Sequence, residues 1–204
     1  MRPAWVDRPP MCLNAPKPDV NVTLALRSEG CVRTREWVTM SESSDVVGRP
    51  TGACRVVIER GPVARFAEAV HDPSEIYQRS DAAAAAGFDA IPVPPTYGFS
   101  AMQYWGKFPE DQPPDPTGGT NPMMEIIGGL MAKGGMVLHG EQEFIYHRPV
   151  VVGDVLTGEG RVTDHYSKES SSGRTMTFLV VEDVYRGADG EPVLTSRMNL
   201  IHRA

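Results

Sequence analysis

The sequence has few cysteines, and they form no pattern that would hold a metal. Its three cysteines, Cys12, Cys31 and Cys54, include no Cys-x-x-Cys pair and no Cys/His pair. A disulfide scaffold and a zinc site are therefore not expected. We predict a cytoplasmic protein without a metal or other cofactor.

Long apolar runs and an excess of positive charge are also missing. The sequence contains no apolar run of the roughly 18 residues that a membrane-spanning helix needs, so no membrane span is expected. The net charge of −6 argues against nucleic acid as a partner, because neutralising a phosphate backbone requires clustered Lys and Arg. The 41% of apolar residues is enough for a globular core.

Residues 1–39 differ from the rest of the chain in charge and composition. They carry a net charge of +2, which leaves −8 on the other 165 residues. They are rich in proline, and hydrophobicity alternates there only once, at Val20, Val22, Leu24 and Leu26. We predict that residues 1–39 are a disordered arm or a mis-assigned start, that Met40 is the working initiator, and that residues 40–204 form one domain.

Four helices are predicted to follow a first strand at residues 54–58. Their starts are marked by Gly61-Pro62, by Asp81 as an N-cap, by Pro95 and by Asn121-Pro122. Glycines mark two of their ends, at Gly87 and at Gly134-Gly135. The third helix, which reaches Trp105, is apolar on all sides, so we expect it to be buried.

The C-terminal part predicts a meander of four antiparallel strands. They cover residues 138–147, 154–166, 175–185 and 192–202, and Asp189-Gly190 marks the last turn as a hairpin. Because strands and helices do not alternate along the chain, the predicted fold class is α+β. We expect an antiparallel sheet wrapped around a buried central helix.

Several stretches between Val47 and Arg203 resemble the MaoC-like hydratases and dehydratases. They include VGRPTG, ERGPVARFAEAVHDPSEIY, AAAAAGFDAIPVPPTYGF and LHGEQEFIYHRPVVVGDVLTGEGRV. The chain is most similar to the variant called the N-terminal MaoC-type, or FAS1-like dehydratase, domain. The resemblance implies a hot-dog fold, with residues 106–136 as a helical insertion.

This resemblance implies an activity on acyl thioesters of coenzyme A or acyl carrier protein. The family adds water to a 2-enoyl thioester or removes it from a 3-hydroxyacyl thioester, without a metal or redox cofactor. The resemblance therefore implies a role in fatty acid and lipid metabolism. It also implies a homodimer, or a heterodimer with a second MaoC-like subunit.

The catalytic signature of the family, Asp-x-Asn-Pro-aliphatic-His, is only partly present. Asp72 matches the Asp and Ile76 matches the aliphatic residue, whereas Ser74 and Glu75 replace Asn-Pro and Tyr77 replaces the His. The resemblance thus implies Asp72 and Tyr77 as catalytic residues. Histidine is the natural base at neutral pH, whereas a phenol with its ordinary pKa of about 10 is a poor one. The alternatives are a turn residue for Asp72 and a packing residue for Tyr77.

The resemblance also implies residues that bind the substrate. Thr96, Tyr97 and Gly98 open the third helix, where free N–H groups would polarise a thioester carbonyl. His139 lies in the family-like stretch LHGEQ. The alternatives are an ordinary helix start and a structural histidine.

Three functions remain open at this point. The chain is a hydratase or dehydratase, a non-catalytic subunit that completes the acyl tunnel of a catalytic one, or a hot-dog thioesterase or acyl-CoA-binding protein. Asp72 favours the first and Tyr77 the second. The insertion is predicted to form a lid or wall of the acyl tunnel, or else a surface helix. It carries Met123, Met124, Met131 and Met136, and methionine adapts to irregular apolar shapes.

Overall fold

The computed structural model describes residues 46–169 and 173–203, together with the short segments 21–22 and 39–40. The remainder of the predicted arm lies outside the described residues. The strands are β1 (Asn21–Val22), β2 (Thr39–Met40), β3 (Pro50–Val57), β4 (Met136–Tyr146), β5 (Val155–Glu169), β6 (Thr175–Arg186) and β7 (Pro192–Arg203). The five long strands predicted from the sequence are confirmed, with ends that differ by a few residues.

The five long strands form one antiparallel sheet in the order β4-β7-β6-β5-β3. The predicted meander is wrong at one point, because β4 pairs with β7 and not with β5. The segment between β4 and β5 is extended and bonds to the chain before the third helix, where Val93 N–H donates to Val150 O and Val152 N–H to Ile91 O. These bonds carry the chain across the end of the sheet, so a tight hairpin is not formed.

Within the described residues, four α-helices accompany the sheet, as predicted. They are α1 (Arg60–Ala69), α2 (Ser80–Ala85), α3 (Tyr97–Tyr104) and α4 (Pro122–Met131). Asn121 caps α4 by accepting a hydrogen bond from Met123 N–H, and Gly87 ends α2 with a φ of 88°. Asp81 is not the N-cap of α2, since Arg79 holds that position and pairs with the Asp81 carboxylate in the first turn.

The inner face of the sheet is covered by helices. The main core joins Leu156, Tyr185 and Leu194 of the sheet to Phe66 of α1 and Tyr97 of α3. A smaller core joins α4 to the other end of the same face, through Met123 and Ile126 on Val162, Leu179, Val181, Met198 and Leu200. This arrangement confirms the predicted α+β hot-dog architecture.

The third helix is buried at its start and exposed at its C-terminal end. Tyr104 is 78% exposed and Trp105 is 44% exposed, so the prediction of a wholly buried helix is wrong at its C-terminal end. Gly106 then brings the chain against β3, where its carbonyl accepts a hydrogen bond from Val57 N–H. Gln112 continues this contact through two hydrogen bonds to the backbone of Arg55. The segment 106–112 therefore protects the edge of β3.

A tight turn at the end of α1 directs the chain toward the first predicted catalytic residue. His71 adopts a left-handed φ of 56°. Its N–H donates to Glu68 O, and Asp72 N–H donates to Ala67 O. This pair of bonds is the Schellman motif, whose left-handed position is normally occupied by glycine. His71 is exposed, so the residue sets the backbone and contributes nothing to the core.

Replacing His71 by glycine is expected to stabilise the protein by about 0.5–1 kcal/mol, because glycine has no steric penalty at a left-handed φ. Urea unfolding of wild type and His71→Gly measures the difference. Gly87→Ala is the matched control at the other left-handed helix end and should destabilise by a similar amount. A destabilising His71→Gly would contradict the assigned turn.

Candidate active site

Asp72 begins the segment that joins α1 to α2. Its Oδ1 accepts a hydrogen bond from Ser74 N–H at 3.0 Å, which fixes the turn before the 3-10 turn Glu75–Tyr77. Among the described residues, no group donates to Oδ2 of Asp72. The side chain thus serves as a turn residue with one oxygen and leaves the other available to hold a water molecule.

Tyr77 is buried in this segment, with 8% of its surface exposed. Burial raises the pKa of its phenol, and the nearby negative charge of Asp72 raises it further. The hydroxyl group therefore stays protonated at neutral pH. It can donate a hydrogen bond to a water or substrate oxygen, but it cannot act as the base that the family histidine provides.

Tyr146, at the end of β4, joins this segment to the start of α3. Its hydroxyl group donates a hydrogen bond to Pro95 O. Burial raises its pKa, with a smaller contribution from neighbouring Tyr77. We call Asp72, Tyr77, Tyr146 and residues 96–98 the Asp72 cluster. The sequence reasoning missed Tyr146, although its place in FIYHRPV, within the most family-like stretch, was a usable signal.

The start of α3 offers two N–H groups to the Asp72 cluster. Tyr97 N–H is already bonded to Pro94 O at 2.9 Å, whereas the N–H groups of Thr96 and Gly98 have no backbone acceptor among the described residues. The Tyr97 ring is 2% exposed and packs edge-on against Phe66. Tyr97 is therefore a core residue, and Thr96 and Gly98 supply the available donors.

His139 lies at the other end of β4 from Tyr146. The two residues are seven positions apart, which corresponds to about 23 Å along the strand. The His139 side chain is exposed and its ring contacts Phe99 of α3, with the ring centres 4.8 Å apart. The structure therefore places His139 against the residue that follows Gly98 in α3.

A second feature is a cavity of about 370 Å³ between the inner face of the sheet and the helices, which we call the inner cavity. Phe99 and Tyr104 of α3, Met123 of α4 and Asp183 of β6 contribute to its lining. Its size is in the usual range for small-molecule sites. Helix α3 runs from the Asp72 cluster at its start to the inner cavity at its end.

The lining of the inner cavity is relevant to the prediction that the insertion forms a lid or wall of the acyl tunnel. Met123 lines the cavity and packs on the sheet, as a wall would. The other three methionines of the insertion are largely exposed, with Met124, Met131 and Met136 at 59%, 50% and 53%. One face of α4 thus forms a wall, and the rest of the helix is surface.

Asp183 is an acidic residue on the largely apolar inner face, directly opposite Ser196 of β7. It follows Leu179 and Val181 on the same side of β6, and no described group donates a hydrogen bond to its carboxylate. Burial raises its pKa to about 6, although the positive charge of Lys107 partly offsets the effect. The sequence reasoning missed this residue; an acidic side chain on the buried face of a strand was the available signal.

In the described part of the chain, no group of three His, Cys, Asp or Glu side chains is arranged to hold a metal ion. None of the helices found there is long and apolar enough to cross a membrane.

Comparison with known proteins relates the chain to one family of dehydratase domains. The family model described as "FAS1-like, dehydratase domain region" matches residues 45–196. A UPF0336 protein of Saccharopolyspora erythraea is 31% identical over 76% of this chain and 85% of its own length. A "probable enoyl-CoA hydratase alpha subunit" of Thermomonospora curvata is 28% identical over 68% of this chain and 43% of its own length.

A solved structure agrees with the fold. The ChsH1-ChsH2 complex of Mycobacterium tuberculosis contains a chain with a TM-score of 0.59 and 22% identity, over 75% of this chain and 83% of the other. MaoC-like dehydratases are also among the structural relatives. The hot-dog architecture implied by the sequence is thereby confirmed.

The raised pKa of Asp183 predicts a pH dependence of stability. The folded protein holds the proton up to about pH 6, whereas the unfolded chain releases it near 3.9. The stabilising contribution of this group is therefore complete below the unfolded pKa and is lost as the pH rises to about 6. Asp183→Asn should be more stable than wild type at pH 7.5, by up to about 3 kcal/mol.

Urea unfolding of both proteins at pH 5 and pH 7.5 measures this effect. The gain in free energy of unfolding of Asp183→Asn over wild type should be smaller at pH 5 than at pH 7.5. Glu159→Gln, which removes an exposed charge one residue from Gly160 on β5, is the control and should show no such advantage. An equal effect of both substitutions would contradict the assignment.

Proposed function

Since the chain belongs to the family of FAS1-like dehydratase domains, matched over residues 45–196, we propose that it is a MaoC-type hydro-lyase subunit. It hydrates a 2-enoyl thioester, or dehydrates a 3-hydroxyacyl thioester, of coenzyme A or acyl carrier protein. The observation that carries this proposal is the Asp72 cluster, which combines a carboxylate, a protonated phenol and two free N–H groups at the start of a helix.

Asp72 holds the water that reacts. Its Oδ2 accepts a hydrogen bond from the water and takes one of its protons as the oxygen bonds to C3 of the enoyl group. C2 then receives that proton, so H and OH add across the double bond without another reactant. Tyr77 donates a hydrogen bond from its hydroxyl group to the water or substrate oxygen, because its raised pKa keeps it protonated.

The start of α3 receives the thioester oxygen. The N–H groups of Thr96 and Gly98, together with the positive end of the helix dipole, stabilise the negative charge that develops on this oxygen. Tyr146 supports this role because its bond to Pro95 O fixes the backbone just before these donors. It is a positioning residue in this scheme.

The proposed assembly is a dimer with a second MaoC-like chain. Among the described residues, β1 pairs only with Phe144 and Ile145 on the outer edge of β4, which leaves the other β4 residues without a strand partner there. Pairing of two sheets edge to edge would cover such an edge. The names of two related proteins, an alpha subunit and a two-protein complex, support a heterodimer.

A second candidate function is that of a partner subunit without full activity. The observation that favours it is Tyr77, which stands where the family has its base and cannot replace it at neutral pH. In that case the chain completes the acyl tunnel, and the partner supplies a complete Asp/His pair.

Hydration of a short 2-enoyl-CoA by the purified chain, followed through the loss of conjugated thioester absorbance, tests the Asp72 cluster. Asp72→Asn should lower the rate by about 10²-fold or more, because general acid–base groups contribute 10² to 10⁴. Tyr77→His should raise the rate by restoring a base, whereas Tyr77→Phe, the matched control, should not. Release of free thiol in place of hydration would identify a thioesterase and defeat the proposal.

Co-expression with a homologous chain that carries the full Asp-x-Asn-Pro-x-His motif tests the second candidate. If the isolated chain is inactive, the pair should co-purify and hydrate the substrate, and inactivating Asp72 should then have little effect on the rate. A strong effect of Asp72→Asn within the active pair would instead assign the chemistry to this chain.

A further inference from the structure

The inner cavity is not uniformly apolar. Val181, Tyr185 and Met198 form apolar parts of its lining, yet Asp183 lies among them. A carboxylate without a hydrogen-bond partner is costly in such surroundings. A ligand group that pairs with it would recover part of that cost.

Two glycines of β5 make room for side chains of β6, and one of them, Gly160, lies against this carboxylate. A Cβ at Gly160 would lie 2.2 Å from Asp183 Oδ1 and 2.4 Å from Thr51 Oγ1. A Cβ at Gly158 would lie 2.7 Å from the Tyr185 ring. Because any side chain at Gly160 would displace the carboxylate, this glycine is what allows Asp183 to occupy the floor of the cavity.

One cation of the cavity lining is not paired with Asp183. Lys107 lines the cavity, and its charge lowers the pKa of Asp183, yet the described ion pairs include none between these two side chains. Asn121 also lines the cavity, but its hydrogen bonds are made elsewhere: one amide N–H donates to Thr51 O, and its carbonyl oxygen accepts from Met123 N–H. A ligand group in the cavity thus meets a carboxylate and an ammonium group that are not paired with each other.

A hydroxyl group has the chemistry that suits both side chains. It can donate to the carboxylate of Asp183 and accept from the ammonium group of Lys107 at the same time. A ligand ammonium group would be repelled by Lys107, and a ligand carboxylate by Asp183. A plain methyl end would leave Asp183 without a partner.

We propose that the inner cavity selects acyl chains that carry a hydroxyl group on the part remote from the thioester, with Asp183 as the specificity-determining residue. This inference rests on the proposed function, because it places the thioester at the start of α3 and the acyl chain along that helix toward Phe99 and Tyr104. The eight residues of α3 span about 12 Å, which is comparable to the length of an eight-carbon chain.

The test compares binding of octanoyl-CoA and 8-hydroxyoctanoyl-CoA to the full chain by calorimetry. Neither compound has the double bond or the 3-hydroxyl group needed for reaction. Wild type should bind the hydroxylated thioester at least about fivefold more tightly, as expected for a hydrogen bond to a charged group. Asp183→Leu should reverse the preference, because an apolar side chain favours the methyl end.

Two further variants control for misfolding of Asp183→Leu and for a general effect of removing a negative charge. Asp183→Asn keeps the shape and one acceptor, so it should retain a reduced preference even if Asp183→Leu folds poorly. Glu159→Gln removes an exposed charge from the same strand as Gly160 and should keep the wild-type ratio. Equal affinities in wild type, or an unchanged ratio in Asp183→Leu, would overturn the inference.

The free alcohols 1-octanol and 1,8-octanediol separate this inference from the proposed function. If both thioesters bind equally and hydration of enoyl-CoA persists, only the inference fails. If neither thioester binds, the proposed function fails, and the selectivity for hydroxylated acyl chains fails with it. A preference for the diol that depends on Asp183 would then show that the cavity recognises a hydroxyl group outside thioester chemistry.

Discussion

The structure depends on covering one face of a five-stranded sheet that has apolar residues along its whole length. α1 and α3 cover one end through Phe66 and Tyr97, and α4 covers the other end through Met123 and Ile126. Burial of these side chains removes apolar surface from water and fixes where each helix can lie. The helices do not fill the space between them, and the inner cavity is the part that remains.

The same arrangement brings the Asp72 cluster together. The left-handed turn at His71 sends the chain back over the core, and Asp72 fixes the next turn through Ser74. Tyr77 is then buried beside Asp72, and Tyr146 ties this segment to the start of α3 through Pro95. Residues from three separate parts of the chain thus meet because each belongs to an element that packs against the same core.

Three differences between expectation and structure have local physical causes. β4 pairs with β7 because the segment around Val150 is hydrogen-bonded to residues 91–93, which takes the chain across the sheet. The end of α3 is exposed because Gly106 leads the chain to the edge of β3. Tyr97, expected at the substrate, is a core residue because its N–H is bonded to Pro94 and its ring lies against Phe66.

The sequence alone determined the helices and long strands, since hydrophobic spacing, prolines and glycines act locally. It also identified Asp72, Tyr77 and the start of α3 through motif resemblance. Only the tertiary structure decided that the N–H groups of Thr96 and Gly98 have no backbone acceptor among the described residues, and that His139 lies against Phe99. It alone revealed Tyr146 and Asp183, because a side chain's partners and its burial depend on residues far away in the sequence.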